Sequence, residues 1–256
     1  MTTGKILAFV LAVSCGVVSG HHGKDYLVTS SYRMPHKGEL ILILGGQFAP
    51  VGSQGEGAGH HHHQSEEEQS PVGFDPGVLF AAAEGWTVEA HAHQGYANGS
   101  IHTAALGIES TILILRETRN GNHGRNSRFD APFSLAVLME ATNALGEFNN
   151  DLETRVIIGK EVAGWTFVAN LITEKTLSSA GPFRYRYALG LSPWAGTGLH
   201  GIFEMDGSFG RGNEFSLIPG IGFSAGKKFD IRIGSRVKIK GVGSAFNVRG
   251  ILVYEL

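Results

Sequence analysis

An all-β fold is predicted for this 256-residue chain: a transmembrane antiparallel up-and-down β-barrel of about twelve strands. Three observations carry that expectation. Segments of about ten residues alternate apolar with polar side chains, the length and period of strands that cross a bilayer at a tilt. Glycine (37 residues) far outnumbers proline (8), and only 17% of residues are charged, against roughly 25% in ordinary soluble domains. That mixture favours many strands joined by glycine turns over a helical enzyme. The amino terminus, finally, has the layout of an export signal.

Taken in order, Lys5 precedes the apolar run 6–13 and the small residues Val18-Ser19-Gly20 follow, so 1–20 reads as a signal peptide. Cleavage after Gly20 leaves a chain that starts at His21. Ala12-Val13-Ser14-Cys15 also loosely resembles a lipoprotein signal in which Cys15 is acylated and retained, and either route exports the chain. A lone cysteine excludes a disulfide framework or a Cys-based zinc site. Residues 21–37 are expected as a periplasmic amino-terminal segment, and 38–256 as the barrel. Past residue 20 no stretch approaches the roughly 18 apolar residues of a membrane helix.

Strands are expected near 38–46, 76–84, 86–94, 100–116, 132–144, 152–161, 164–173, 183–191, 197–206, 213–223, 228–239 and 246–255, an even number as single-chain bacterial barrels require. The clearest is 228–239. Phe229, Ile231, Ile233, Val237 and Ile239 share one face, and Asp230, Arg232, Arg236, Lys238 and Lys240 the other. A soluble sandwich would use shorter strands with polar outer faces, whereas these apolar faces exceed what one small core could bury. Counted from a periplasmic amino terminus, Trp86, Trp165 and Trp194 all fall at turns on the periplasmic rim, as an interfacial aromatic girdle predicts. The 117–131 connection falls on the same rim and is long for it.

Between the first two strands, 47–75 is an extracellular loop rich in Gly, Ser, Glu and His that cannot bury enough apolar surface to order itself. It contains His60, His61, His62 and His63 followed by Glu66-Glu67-Glu68. Adjacent imidazoles beside carboxylates can chelate zinc, copper or nickel, and a plain solvated loop is the alternative.

On each strand the polar face points into the barrel. The expected lumen-lining residues are Glu89, His91, His93, Glu140, Arg155, Arg184, Arg186, Glu204, Glu214, Arg232, Arg236 and Lys238, with Glu109, Glu153, His200 and Asp206 as further candidates. Neighbouring strands bring Arg184 and Arg186 near Glu204 and Asp206, and Glu214 near the basic strand, so cross-strand ion pairs can form. If the lumen is open, the excess of Arg and Lys on 228–240 favours anions locally. Twelve strands lie between the filled eight-strand barrels and the open sixteen-strand porins. His91 and His93 stand about 6.8 Å apart along one strand, so a shared metal site needs their rings to converge or a neighbour such as Glu109 to assist.

The downstream half resembles a family of bacterial outer-membrane barrels described as transporters related to the MetA-pathway phenol-degradation proteins. The residues that carry the resemblance are His22-Gly23-Lys24-Asp25-Tyr26-Leu27, Val162-Ala163-Gly164-Trp165-Thr166-Phe167-Val168-Ala169-Asn170-Leu171-Ile172-Thr173-Glu174-Lys175, Tyr187-Ala188-Leu189-Gly190-Leu191-Ser192-Pro193, Ile218-Pro219-Gly220-Ile221-Gly222 and Arg249-Gly250-Ile251-Leu252-Val253-Tyr254-Glu255-Leu256. It covers roughly 22–46 and 72–256. Such barrels are expected to end in an aromatic residue; Leu256 stands there, with Tyr254 two residues earlier. The resemblance implies the bacterial outer membrane and a porin-like transport role more than any chemistry.

No Gly-x-Ser-x-Gly elbow, His-Glu-x-x-His helix or phosphate-cradling loop is present, and His200 has neither a nearby serine on its strand face nor a recognisable orienting carboxylate, so an enzyme is not expected. A net charge of −2 removes nucleic acid as a partner. The expected partners are outer-membrane lipid, the barrel-assembly machinery, and small solutes or a divalent transition metal; no cofactor is implied. The leading function is a passive channel or accessory transporter for small solutes. Its alternative is a closed barrel serving as a structural or metal-binding surface protein through the His-rich loop.

Overall fold

Period-2 alternation puts successive side chains on opposite faces of a strand, and each amphipathic segment of the chain forms one. A computed structural model of the protein describes residues 26–48, 72–97, 100–117, 130–144, 150–177, 181–193, 198–210, 213–226, 228–241 and 246–256. The strands are β1 (Leu40–Phe48), β2 (Val72–Ala83), β3 (Trp86–Ala97), β4 (Ser100–Glu117), β5 (Asp130–Ala131), β6 (Ser134–Ala144), β7 (Asn150–Val162), β8 (Trp165–Thr176), β9 (Arg184–Pro193), β10 (Gly198–Phe209), β11 (Phe215–Ala225), β12 (Phe229–Lys240) and β13 (Phe246–Glu255). Apart from β5, a two-residue addition parallel to the end of β4, these are the twelve expected strands, with boundaries moved by a few residues at most.

The twelve long strands pair antiparallel with their neighbours in chain order, and β13 returns to β1 with Val253 opposite Ile43. The sheet closes into a twelve-strand barrel, with no helix among the described residues. Closure removes the unpaired edges that an open sheet presents. Along β1, Leu42 and Leu44 are exposed while Ile41 and Ile43 are buried; along β12, Ile231 and Ile233 are exposed while Asp230 and Arg232 are buried. The outside is therefore greasy, and the inside carries the charge.

One rim bears the start of β1 and the two-residue turns 84–85 and 163–164, the short connections typical of the periplasmic side. Trp86 and Trp165 are exposed on that rim; Trp194 lies outside the described residues. The opposite rim carries exposed Phe48, Tyr96, Tyr185, Phe209 and Phe246, a second girdle that the tryptophans alone did not foreshadow. His60, His61, His62 and His63 fall outside the described residues, as does most of the 117–131 connection, whose two ends are tied together where Arg116 pairs with Asp130.

Of the segment expected in the periplasm, 26–35 lies inside the barrel, and His36 and Lys37 are exposed. Tyr26 and Tyr32 are buried in a cluster with Ala136, Leu138, Ile157, Val168 and Ile202, contributed by four strands of the wall. A second cluster, Ile41, Ile43, Leu79 and Val253, lies against β1, β2 and β13. In the short-turn half of the lumen, the first of these apolar clusters thus packs wall side chains around an internal strap. Glycines on the inner wall make it possible. A Cβ at Gly159 would overlap the Tyr32 ring, and one at Gly190 would stand 2.7 Å from Tyr26. The glycine content, read from sequence as turn chemistry, also serves as seats for these side chains.

In the 163–164 turn both residues are left-handed, Ala163 at φ 49° and Gly164 at φ 81°, the backbone of a type I′ hairpin. Alanine is held there at a cost of about 1–2 kcal/mol, which asparagine relieves. Ala163→Asn is therefore expected to stabilise the barrel by up to about 1 kcal/mol, seen as a higher urea midpoint at unchanged slope in detergent; an unchanged or lower midpoint counts against this turn geometry.

Candidate functional site in the barrel lumen

The strap at 26–37 has no regular structure, so its backbone donors and acceptors need partners from the wall. Glu204 on the inner face of β10 serves three of the donors. Fully buried, its carboxylate accepts hydrogen bonds from the backbone N–H groups of Leu27 at 2.7 Å, Val28 at 2.9 Å and Thr29 at 2.7 Å. Asn170 on β8 holds Ser30 from both sides: its Oδ1 accepts from the Ser30 N–H at 2.7 Å and its Nδ2 donates to the Ser30 carbonyl at 3.0 Å. Arg155 on β7 donates to Ser30 Oγ at 2.8 Å. Farther along, Arg33 donates to Glu161 at 3.0 Å and to Thr166 Oγ1 at 2.6 Å. The strap is fastened to the wall by side chains of β7, β8 and β10.

Strand register creates an unusual row of charge. Glu89 on β3 stands opposite Glu109 on β4, Glu109 opposite Glu140 on β6, Glu140 opposite Glu153 on β7, and Glu153 opposite Glu174 on β8. Like charges directly opposed across strands destabilise a sheet, so this acidic arc needs offsetting groups. Arg155 is ion-paired with Glu153, and Arg186 with Glu174 at 2.6 Å. The Thr111 and Thr142 hydroxyls donate to Glu109 at 3.3 Å and to Glu140 at 3.1 Å. Farther round the wall the cations gather. Buried Asp206 accepts Arg236 at 2.6 Å and lies 3.6 Å from Arg186, while Arg232 pairs with Asp230 at 2.9 Å and Lys238 stands 3.8 Å from Glu214. The lumen has an acidic arc and a basic one.

Glu89, His91, His93, Glu140, Arg155, Arg186, Glu204, Glu214, Arg232, Arg236 and Lys238 are all buried or half-buried. The anticipated Arg186–Asp206 and Lys238–Glu214 pairs are formed. Arg184 is different: at the start of β9 it is exposed at the rim, and register sets it opposite Glu174, not Glu204. Glu204 is engaged by the strap instead. The His91 and His93 rings converge to 4.9 Å in an edge contact. The carboxylate that joins them is Glu140, where Glu109 had been anticipated, because Gly107 faces His91 across β3–β4. A Cβ at Gly107 would overlap the imidazole, and without one His91 reaches over β4 to place Nε2 3.1 Å from Glu140 Oε1. His200 lies over Gly222 in the same manner, its Nδ1 3.3 Å from the Gly198 carbonyl.

Glu174 was within reach of the sequence, since pairing Val162 with Trp165 across the tight turn sets Glu153 opposite Glu174. Asn170 and Glu161 matter only through the strap, for which the sequence carries no signal.

Neither a protein-family model nor a curated protein sequence matches the chain. Solved structures do resemble it. An outer membrane channel from Pseudomonas putida F1 aligns at 12% identity over 88% of this chain and 98% of that one, with a TM-score of 0.57. A bacterial polysaccharide outer membrane secretin aligns at 10% identity, covering 86% and 99%, with a TM-score of 0.42. The OccK11 (OpdR) protein of Pseudomonas aeruginosa aligns at 12% identity, covering 92% and 75%, with a TM-score of 0.37. The likeness to the first establishes a shared fold, that of an outer-membrane β-barrel.

The glycine seats give a direct check on the strap. Gly159→Leu is expected to expel Tyr32 and open the Arg33 peptide bond to trypsin in detergent-solubilised protein, whereas the unaltered chain resists cleavage there. Identical digestion of the two proteins would place the strap elsewhere.

Proposed function

We propose that the chain is an outer-membrane channel for small solutes, in which the internal strap sets the aperture. The observation that carries this is the pairing of an apolar outer wall, ringed by aromatics at both rims, with a lumen that holds charges of both signs and a segment fastened only by non-covalent bonds. A wall of that kind belongs in hydrocarbon, with lipid as its first partner and the barrel-assembly machinery as its route of insertion. A solute entering from the rim opposite the short turns meets the paired charges Arg186–Glu174, Arg236–Asp206 and Lys238–Glu214, so small polar solutes suit the passage and the excess of Arg and Lys on β12 favours anions locally. The fold shared with a Pseudomonas putida channel, and the resemblance to transporters related to the MetA-pathway phenol-degradation proteins, point the same way. The absence of any nucleophile–base motif in the sequence supports a role other than catalysis.

One observation favours a second reading. The strap closes the apolar cores of the short-turn half, as it would in a closed barrel that works as a structural or metal-binding surface protein through His60, His61, His62 and His63.

Conductance separates the two. Each hydrogen bond to a charged group contributes about 1.5–3 kcal/mol, so Glu204→Ala combined with Asn170→Ala is expected to loosen the strap. In a planar bilayer the unaltered protein should give small single-channel steps and the double variant larger or longer ones. Silence from both proteins would overturn the channel and leave the closed barrel.

A further inference from the structure

We propose that His91, His93 and Glu140 form a lumenal binding site for a divalent transition-metal ion of the zinc class. The two histidines share the inner face of β3 and the glutamate comes from β6, and one ligand atom from each lies within 4.8 Å of the others. The nitrogen of His91 and the oxygen of Glu140 are already 3.1 Å apart, close to the separation of two ligands on a tetrahedral ion with bonds of about 2.0–2.1 Å. Small side-chain rotations bring in His93. Two imidazoles and a carboxylate, with water in the fourth position, form an open three-ligand set that suits zinc and also accommodates nickel or copper.

Three features of the wall shape this site. The hollow at Gly107 is what lets His91 cross β4, as shown by the overlap a Cβ there would create. A register shift between His93 and Gln94 on β3 is the kind of irregularity that re-aims a side chain. Beyond the ligands, His93 Nδ1 lies 2.8 Å from Asp75 Oδ1 on β2. With Nδ1–H donating to that carboxylate, Nε2 becomes the ligating nitrogen, the arrangement by which an outer carboxylate orients a metal-bound histidine. Glu89 lies 3.7 Å from His91 Nδ1, beyond hydrogen-bond distance, and contributes negative charge behind that ring.

The electrostatics agree. Glu89, Glu109 and Glu140 are opposed in register and buried, and Arg155, ion-paired with Glu153, is one cation that acts on Glu109 and Glu140. An imidazole that ligates a metal is neutral, so in the loaded site the divalent ion supplies the positive charge that offsets these carboxylates. The bound ion would also tie β3 to β6 across β4.

Zinc titrated by calorimetry into full-length, untagged protein in detergent tests the site. The background carries His60→Ser, His61→Ser, His62→Ser and His63→Ser, so that the loop histidines contribute nothing. One zinc ion per chain is expected to remain. His93→Gln or Glu140→Gln should weaken it by at least tenfold, and the outer variant Asp75→Asn by roughly ten- to a hundredfold, each with native mobility in unheated gels to show an intact barrel. Cobalt substituted for zinc should give the visible spectrum of a tetrahedral site with nitrogen ligands, lost in the His91→Gln, His93→Gln pair. Loss of all zinc binding in the loop background alone, or unchanged affinity in folded Glu140→Gln and His93→Gln, would overturn the assignment.

Discussion

Hydrocarbon offers a polypeptide nothing to hydrogen-bond with, so each N–H and C=O that enters it must be satisfied within the protein. A sheet meets that demand only if it has no edges. The pairing of β13 with β1 is therefore the contact on which the rest depends: it converts twelve hairpin-linked strands into a closed wall. Once the wall is closed, strand alternation has a single outcome. Leu42, Leu44, Ile231 and Ile233 face outward, and the opposite faces share an enclosed interior.

That interior sets the second problem. Twelve strands enclose more space than wall side chains fill easily, given that eight are just wide enough to be filled. The chain answers with its own amino-terminal segment. Tyr26 and Tyr32 supply bulk where glycines have removed it from the wall, and Glu204, Asn170 and Arg155 supply the hydrogen bonds that an irregular backbone needs. Glycine at 159 and 190 is thus a packing residue in this barrel, with no role in turning the chain.

Closure also fixes register, and register fixes which charges oppose one another. A row of five glutamates from β3 to β8 is a cost that a sheet selected for stability alone would not carry. Arg155 and Arg186 offset its far end; at its near end stand the two histidines.

The sequence by itself determined the number of strands, their approximate limits and which side of each faces outward, because those follow from a period of two and a fixed strand length, both local in the chain. The same alternation sets Arg232, Arg236 and Lys238 on the face of their strand opposite the apolar one. Tertiary structure alone decided three things. The position of 26–37 rests on contacts between residues more than a hundred apart, such as Leu27 with Glu204. The meeting of His91 with Glu140 depends on the void over Gly107, a property of two neighbouring strands together. The exposure of Arg184 follows from where β9 begins at the rim. Alternation dictates the face of a side chain, but its height in the barrel and its partner across the lumen are set only when the wall closes.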